Sequence, residues 1–215
     1  MTEWQMSKKL ASKWAKTGFT IGRQKLLLVS WEVMTPSWKF NTAADGWEPS
    51  IDFLFLDSQM GLWAMELKNH IKTARDSWLA LCQVTHRAFE LSKTYSPRKL
   101  KEIHRICHYG SDSWIPASDP EELSLIHRRF FALSQNQTIP LQQPKVRRLV
   151  AAKSFSPEWH KTICKFNSSQ CDEIASHLQE TYKIASKSNR EMHWLLGCGD
   201  WHEHMIGHVE HVSLQ

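Results

Sequence analysis

Hydrophobic positions along the chain switch between two periods. Trp4, Leu10, Ala11 and Trp14 fall on one stripe with lysines opposite, which predicts an amphipathic helix over 3–16. Gly18 and Gly22 punctuate a turn, and residues 25–34 read as a strand. A loop is expected over 35–50, marked by Pro36, Asn41, Asp45-Gly46 and Pro49. Two β-type runs follow, 51–56 and 62–68, and the short connection between them ends in Gly61, the pattern of a hairpin. Helical spacing returns over 77–92 through Trp78, Leu81, Cys82, Thr85, Ala88 and Phe89, and a basic helix is expected over 97–108. Pro116 and Pro120 mark a loop, 120–134 predicts a further helix, and 135–144 is a polar connection. Residues 146–152 read as a strand, 169–186 as a helix capped by Ser168 or Ser169, and 192–196 as a last short strand. This order predicts one α/β domain built on a single central sheet.

The hairpin carries the chemistry. If it is symmetric about Gln59, Asp52 lies opposite Glu66, Leu54 opposite Ala64 and Leu56 opposite Leu62. Successive side chains alternate in direction, so Asp52, Glu66 and Lys68 share one face at one end. Ile51, Phe53, Phe55, Trp63, Met65 and Leu67 form the other face. Both faces are otherwise apolar, which predicts helices over both. Two carboxylates and an ammonium on a covered face are costly unless compensated. A divalent cation between the carboxylates is one compensation, since Mg²⁺ prefers oxygen ligands. The Leu67 carbonyl is a further ligand candidate, and Lys68 then holds the attacking water or a phosphate oxygen. That chemistry is metal-assisted hydrolysis of a phosphodiester. A salt bridge of Asp52 or Glu66 with Lys68 is the other compensation, and spacing alone leaves both open.

Composition narrows the class. A length of 215 residues suits one domain, and 41% hydrophobic with 23% charged residues excludes a disordered, collagenous or coiled-coil chain. Apolar runs such as Leu26-Leu27-Leu28-Val29 are too short to span a membrane, and the N-terminus lacks a secretory pattern, so a cytoplasmic protein is expected. Five cysteines without a CxxC pair predict reduced, mostly buried thiols. The net charge of +5 favours a polyanionic partner. Basic residues cluster at Arg87, Lys93, Arg98, Lys99, Lys101 and Arg105, and again at Lys145, Arg147, Arg148, Lys153, Lys161 and Lys165. Two such stretches can flank a groove for a phosphate backbone; a solvated helix face is the plain alternative.

Ser50-Ile51-Asp52, thirteen intervening residues and Glu66-Leu67-Lys68 together resemble the signature of the PD-(D/E)XK nuclease superfamily, with serine in place of the proline. The resemblance implies a three-layer α/β/α, restriction-endonuclease-like fold with a central mixed sheet over roughly 1–186. The whole chain, 1–215, would then be one nuclease-like domain with a variable insertion at 110–144 and a histidine-rich tail at 197–215. It implies Mg²⁺- or Mn²⁺-dependent hydrolysis of DNA, with RNA as the other polymer. Asp52, Glu66 and Lys68 would be catalytic, and Asp52, Glu66 and Leu67 would hold the metal. Members often add an upstream acid; Glu32, in a strand expected beside the hairpin, is preferred over Glu3 and Glu48. Some members place a glutamine on the following helix, where Gln83 stands, with Arg87 one turn later; both suit phosphate contact, as do Arg147 and Arg148. A catalytically silent nucleic-acid-binding module of the same fold, acting within a larger complex, is the alternative. A homodimer or a partner subunit is left open.

Two further patterns compete weakly. The tail from His202 to His211 lacks HExxH, because position 206 is isoleucine, so a surface strand or frayed tail is expected rather than a zinc site. Of the eleven tryptophans, Trp31, Trp63 and Trp78 suit a core, whereas Trp38, Trp47 and Trp114 fall in expected loops and could stack on bases.

Overall fold

The structure is a computed structural model that describes residues 2–34, 50–57, 61–94, 146–168, 173, 174, 176, 180 and 208–214. Its described elements are α1 (Glu3–Thr17), β1 (Phe19–Ile21), β2 (Gln24–Met34), β3 (Ser50–Leu56), β4 (Leu62–Ile71), α2 (Ala74–Thr94), β5 (Val146–Phe155), α3 (Pro157–Ser168) and β6 (Val209–Ser213). The strands form one mixed sheet in chain order, β1 to β6. Pairing is antiparallel from β1 to β4 and parallel from β4 to β6.

Local chemistry sets the element ends. Thr2 caps α1 in a reciprocal box: its hydroxyl accepts from the Gln5 amide at 3.1 Å and the Gln5 side chain accepts from the Thr2 amide at 3.0 Å. Gly18 ends the helix at φ +71°, and a Cβ there would lie 2.8 Å from the Leu26 carbonyl oxygen. Pro157 at the first helical position and Glu158 in the first turn open α3; the hydroxyl of Ser156 before them is buried without a hydrogen-bond partner. The α3 stripe of Trp159, Thr162, Ile163 and Phe166 is buried.

Side-chain alternation along the strands divides the core in two. Phe53, Phe55, Trp63, Met65, Leu149 and Ala151 pack with Met6, Ala11, Trp14 and Ala15 of α1. The intervening Val150 and Ala152 belong to a second cluster with Trp78, Leu81 and Phe89 of α2 and Trp159, Ile163 and Phe166 of α3. Aromatic rings dominate the first cluster: Trp14 lies 4.8 Å from Phe53 and 4.9 Å from Phe19, centroid to centroid.

Several expectations shift. The α1 stripe that is buried runs through Met6, Ser7, Ala11, Trp14 and Ala15; Trp4 stands outside it. The residues after Gly18 form a short strand, because the turn at Gly22 folds Phe19–Ile21 back onto β2. A helix stands at Pro157–Ser168, and Ser168, one of the two residues expected to start a helix, is its last. The tail's last residues are a strand: β6 runs parallel to β5, with Val150 level with His211. Trp31, Trp63 and Trp78 are buried as expected; Cys82 is buried and Cys164 exposed. The helices expected at 97–108 and 120–134, the strand at 192–196, the loop residues 35–49 and most of 169–186 lie outside the described residues. No helix among the described residues is long and apolar enough to cross a membrane.

Candidate active site

The β3–β4 ladder has the register of a hairpin symmetric about Gln59. Leu56 pairs with Leu62, Phe55 with Trp63, Leu54 with Ala64 and Phe53 with Met65. There the ladder stops, while β4 continues to Ile71 against β5. One residue beyond the last pair, the Asp52 carboxylate takes over from a strand partner: Oδ2 accepts the Leu67 amide at 2.6 Å. A side chain thus satisfies a backbone donor that the departing strand leaves open. Asp52 is half-buried at this fork.

Glu66, on the same stretch of β4, is 2% exposed. Its Oε1 lies 2.8 Å from Lys68 Nζ, and Arg87 Nη1 of α2 donates to its Oε2. Burial alone would raise its pKa; the nearby Arg87 and Lys68 charges and their hydrogen bonds outweigh that and hold it below the usual 4.5. Lys68 shows the mirror case. Burial would lower its pKa, but the carboxylates of Glu66, Asp52 and Glu3, with the hydrogen bond to Glu66, raise it above the usual lysine range. Lys68 is therefore an ammonium at neutral pH, able to hold an oxygen or offset negative charge but not to take up a proton.

Glu3, from the first turn of α1, completes the cluster. Its Oε1 lies 3.6 Å from Lys68 Nζ and its Oε2 accepts the Asn69 amide at 3.4 Å. Asn69 in turn accepts from Lys153 Nζ of β5 at 3.1 Å. The structure thus brings Asp52, Glu66 and Lys68 together and adds Glu3, which strand adjacency had ranked below Glu32. The sequence signal for Glu3 is its place in the first helical turn, but nothing local says where that helix docks. The Glu32 backbone lies between Trp31, level with Phe53, and Val33, level with Ile51, hence beside Asp52. The Glu32 side chain and Glu48 lie outside the described ones.

The expected phosphate contacts divide. Arg87 is buried and engaged with Glu66. Arg148 is buried as well, donating to Thr85 Oγ1 at 3.2 Å. Each guanidinium is spent within the protein, where an unpaired buried polar group would be costly. Gln83 is half-buried on α2, one turn before Arg87, and its Oε1 is buried without a hydrogen-bond partner. Arg147 is half-exposed; it lies 5.0 Å over the Trp63 ring and 3.7 Å from Asp57 Oδ2, at the far end of the hairpin.

The donor set suits a hard cation in kind: two carboxylates and main-chain oxygens. Each carboxylate oxygen has two lone pairs, so the contacts to Leu67, Lys68 and Arg87 do not exhaust Asp52 and Glu66. Among the described residues no three His, Cys, Asp or Glu side chains group closely enough to share one ion. A Mg²⁺ here would take Asp52, Glu66 and the Leu67 carbonyl, with water or phosphate supplying the rest, the usual balance for this ion. The described cluster holds three carboxylates, Glu3, Asp52 and Glu66, with the cations Lys68 and Arg87 and, through Asn69, Lys153.

No protein-family model, no curated protein and no solved structure matches this chain.

Proposed function

We propose that the protein is a metal-dependent nuclease that hydrolyses DNA phosphodiester bonds at the fork between β3 and β4. The observation that carries this reading is the convergence of Asp52, Glu66 and Lys68 where the hairpin ladder ends. In this reading Asp52 and Glu66 hold Mg²⁺ or Mn²⁺, which when bound supplies Lewis-acid activation of water and offsets phosphate charge. Lys68 offers its ammonium to the attacking water or to a non-bridging phosphate oxygen, where charge grows in the transition state. Glu3 positions Lys68 from the α1 side, and Arg87 holds Glu66 from the α2 side. The three-layer, restriction-endonuclease-like arrangement belongs to the same proposal. Its support is a sheet whose two faces meet α1 on one side and α2 with α3 on the other.

One observation favours a second reading, a silent nucleic-acid-binding module. Both oxygens of Glu66 already engage protein cations, so Glu66 is compensated without metal. Assays with linear, circular and single-stranded DNA, with and without Mg²⁺ or Mn²⁺, separate the two. Metal-dependent cleavage that Asp52→Ala removes supports the nuclease. DNA binding with no cleavage under either metal supports the silent module.

A further inference from the structure

Trp4 is out of place for a core residue. Its sequence position suggests the apolar stripe of α1, yet its side is 37% exposed while Met6, Ala11, Trp14 and Ala15 take the core. One face of its ring is occupied: it stacks on the buried Trp31 with centroids 5.4 Å apart and planes at 21°. A flat ring held from beneath has lost most of its side-chain freedom before any ligand arrives. Lys8 follows one turn later beside it and is exposed, whereas the exposed Lys9 and Lys13 lie on the opposite side of α1. The only acid of this helix, Glu3, is turned to Lys68 and Asn69. Trp4 also borders the fork from two directions: Glu3 precedes it in the chain, and Trp31 beneath it is level with Phe53, next to Asp52.

We infer that the outer face of Trp4 stacks an unpaired base of a single-stranded nucleic acid, whose backbone passes Lys8 towards the fork. Stacking on an aromatic ring is open to any base with a free π-face, and Lys8 beside the ring suits a phosphate. A paired base inside a duplex has both faces covered by its neighbours, so the occupant is single-stranded or at a frayed end. A second copy of the chain is disfavoured, because two chains of net charge +5 repel. This inference rests on the nucleic-acid part of the reading above but not on cleavage.

The test is fluorescence anisotropy in EDTA, so that no metal-dependent cutting intrudes. Labelled oligodeoxythymidylate of about ten nucleotides, an abasic oligomer of equal length and a duplex are titrated with wild type, Trp4→Ala and Trp4→Phe, with thermal melting as the folding control. Trp4→Ala should weaken thymidylate binding about tenfold, Trp4→Phe should recover most of it, and all three proteins should bind the abasic oligomer equally. Equal thymidylate affinities of wild type and Trp4→Ala would overturn the inference. So would equal losses on the abasic oligomer, or no binding by wild type. Sedimentation that finds a dimer dissociated by Trp4→Ala, with oligomer binding unchanged, would give the face to a second copy instead. A protein that never cuts but shows the expected binding pattern loses the nuclease reading and keeps this one. A protein that cuts, with Trp4→Ala binding thymidylate as wild type does, loses this one alone.

Discussion

Glu66 and Lys68 stand two residues apart on one strand, yet their substitutions belong to different experiments. Lys68 is partly exposed, and Arg87 remains to hold Glu66 when it is gone. Lys68→Ala should therefore leave the protein folded, at a cost of about 1–2 kcal/mol, and reduce cleavage at least about a hundredfold; rate and thermal melting measured together check both parts. Glu66→Gln confounds the two, because it leaves Arg87 buried without its carboxylate. A broken buried pair costs about 3–5 kcal/mol, and Glu66→Gln combined with Arg87→Met should recover much of that loss in denaturant unfolding. The pH dependence has a definite sign. The native pKa of Glu66 is depressed, so its stabilisation is full above the ordinary value of 4.5 and is lost as pH falls through the native value. Wild type should thus lose stability on acidification below about pH 4.5, and the double variant should lose less over the same window. Equal acid profiles would remove Glu66 from the stability of this site.

At the scale of elements, the hairpin was the part most open to sequence reasoning. Its register follows from alternation and a short symmetric connection, both local. What closes it was not legible. Asp57 is 3% exposed and accepts from the Gly61 amide at 2.7 Å, Trp63 Nε1 at 3.0 Å and Gln24 Nε2 at 3.1 Å. Gln24 comes from another strand, so no window around the turn contains the whole set. Asp57→Ala should cost about 3 kcal/mol, or about 10 °C in melting temperature for a chain of this size. Gly61→Ala should also destabilise, since its Cβ would fall 2.6 Å from Asp57 Oδ2. A variant Asp57→Ala that melts with wild type would reduce this set to a surface turn. By contrast, α3 was within reach of sequence reasoning. Its Ser-Pro-Glu start and its buried Trp159, Ile163 and Phe166 are local signals, eclipsed by the longer apolar pattern after Ser168. Glu3 and the Glu66–Arg87 pair were not within reach, because each joins elements whose docking depends on the whole core.

The whole molecule carries a net charge of +5, whereas the fork gathers three carboxylates, Glu3, Asp52 and Glu66, among its cations. Under the proposed function, the distributed basic residues and the fork carboxylates would make two separable contributions to nucleic-acid binding. Distributed lysines and arginines neutralise phosphates and set how steeply affinity falls with salt, at about −0.9 per phosphate on a logarithmic plot for duplex DNA and about −0.7 for single strands. The fork carboxylates would act against one stretch of that backbone and lower affinity unless a divalent cation offset them. Asp52→Ala should therefore bind DNA more tightly than wild type in EDTA at low salt, and the gap should narrow as salt screens the repulsion. Mg²⁺ should raise wild-type affinity and leave Asp52→Ala almost unchanged, because the variant has lost both the repulsion and a metal ligand. Lys68→Ala should shift in the opposite sense, binding less well in EDTA, because it uncovers Glu66 and Glu3. Salt titrations of all three proteins, each with and without Mg²⁺, supply the comparison. Identical curves for wild type and both variants would mean that the bound backbone does not pass the fork, and the cluster would then be a structural ion network rather than the place where phosphates are cut.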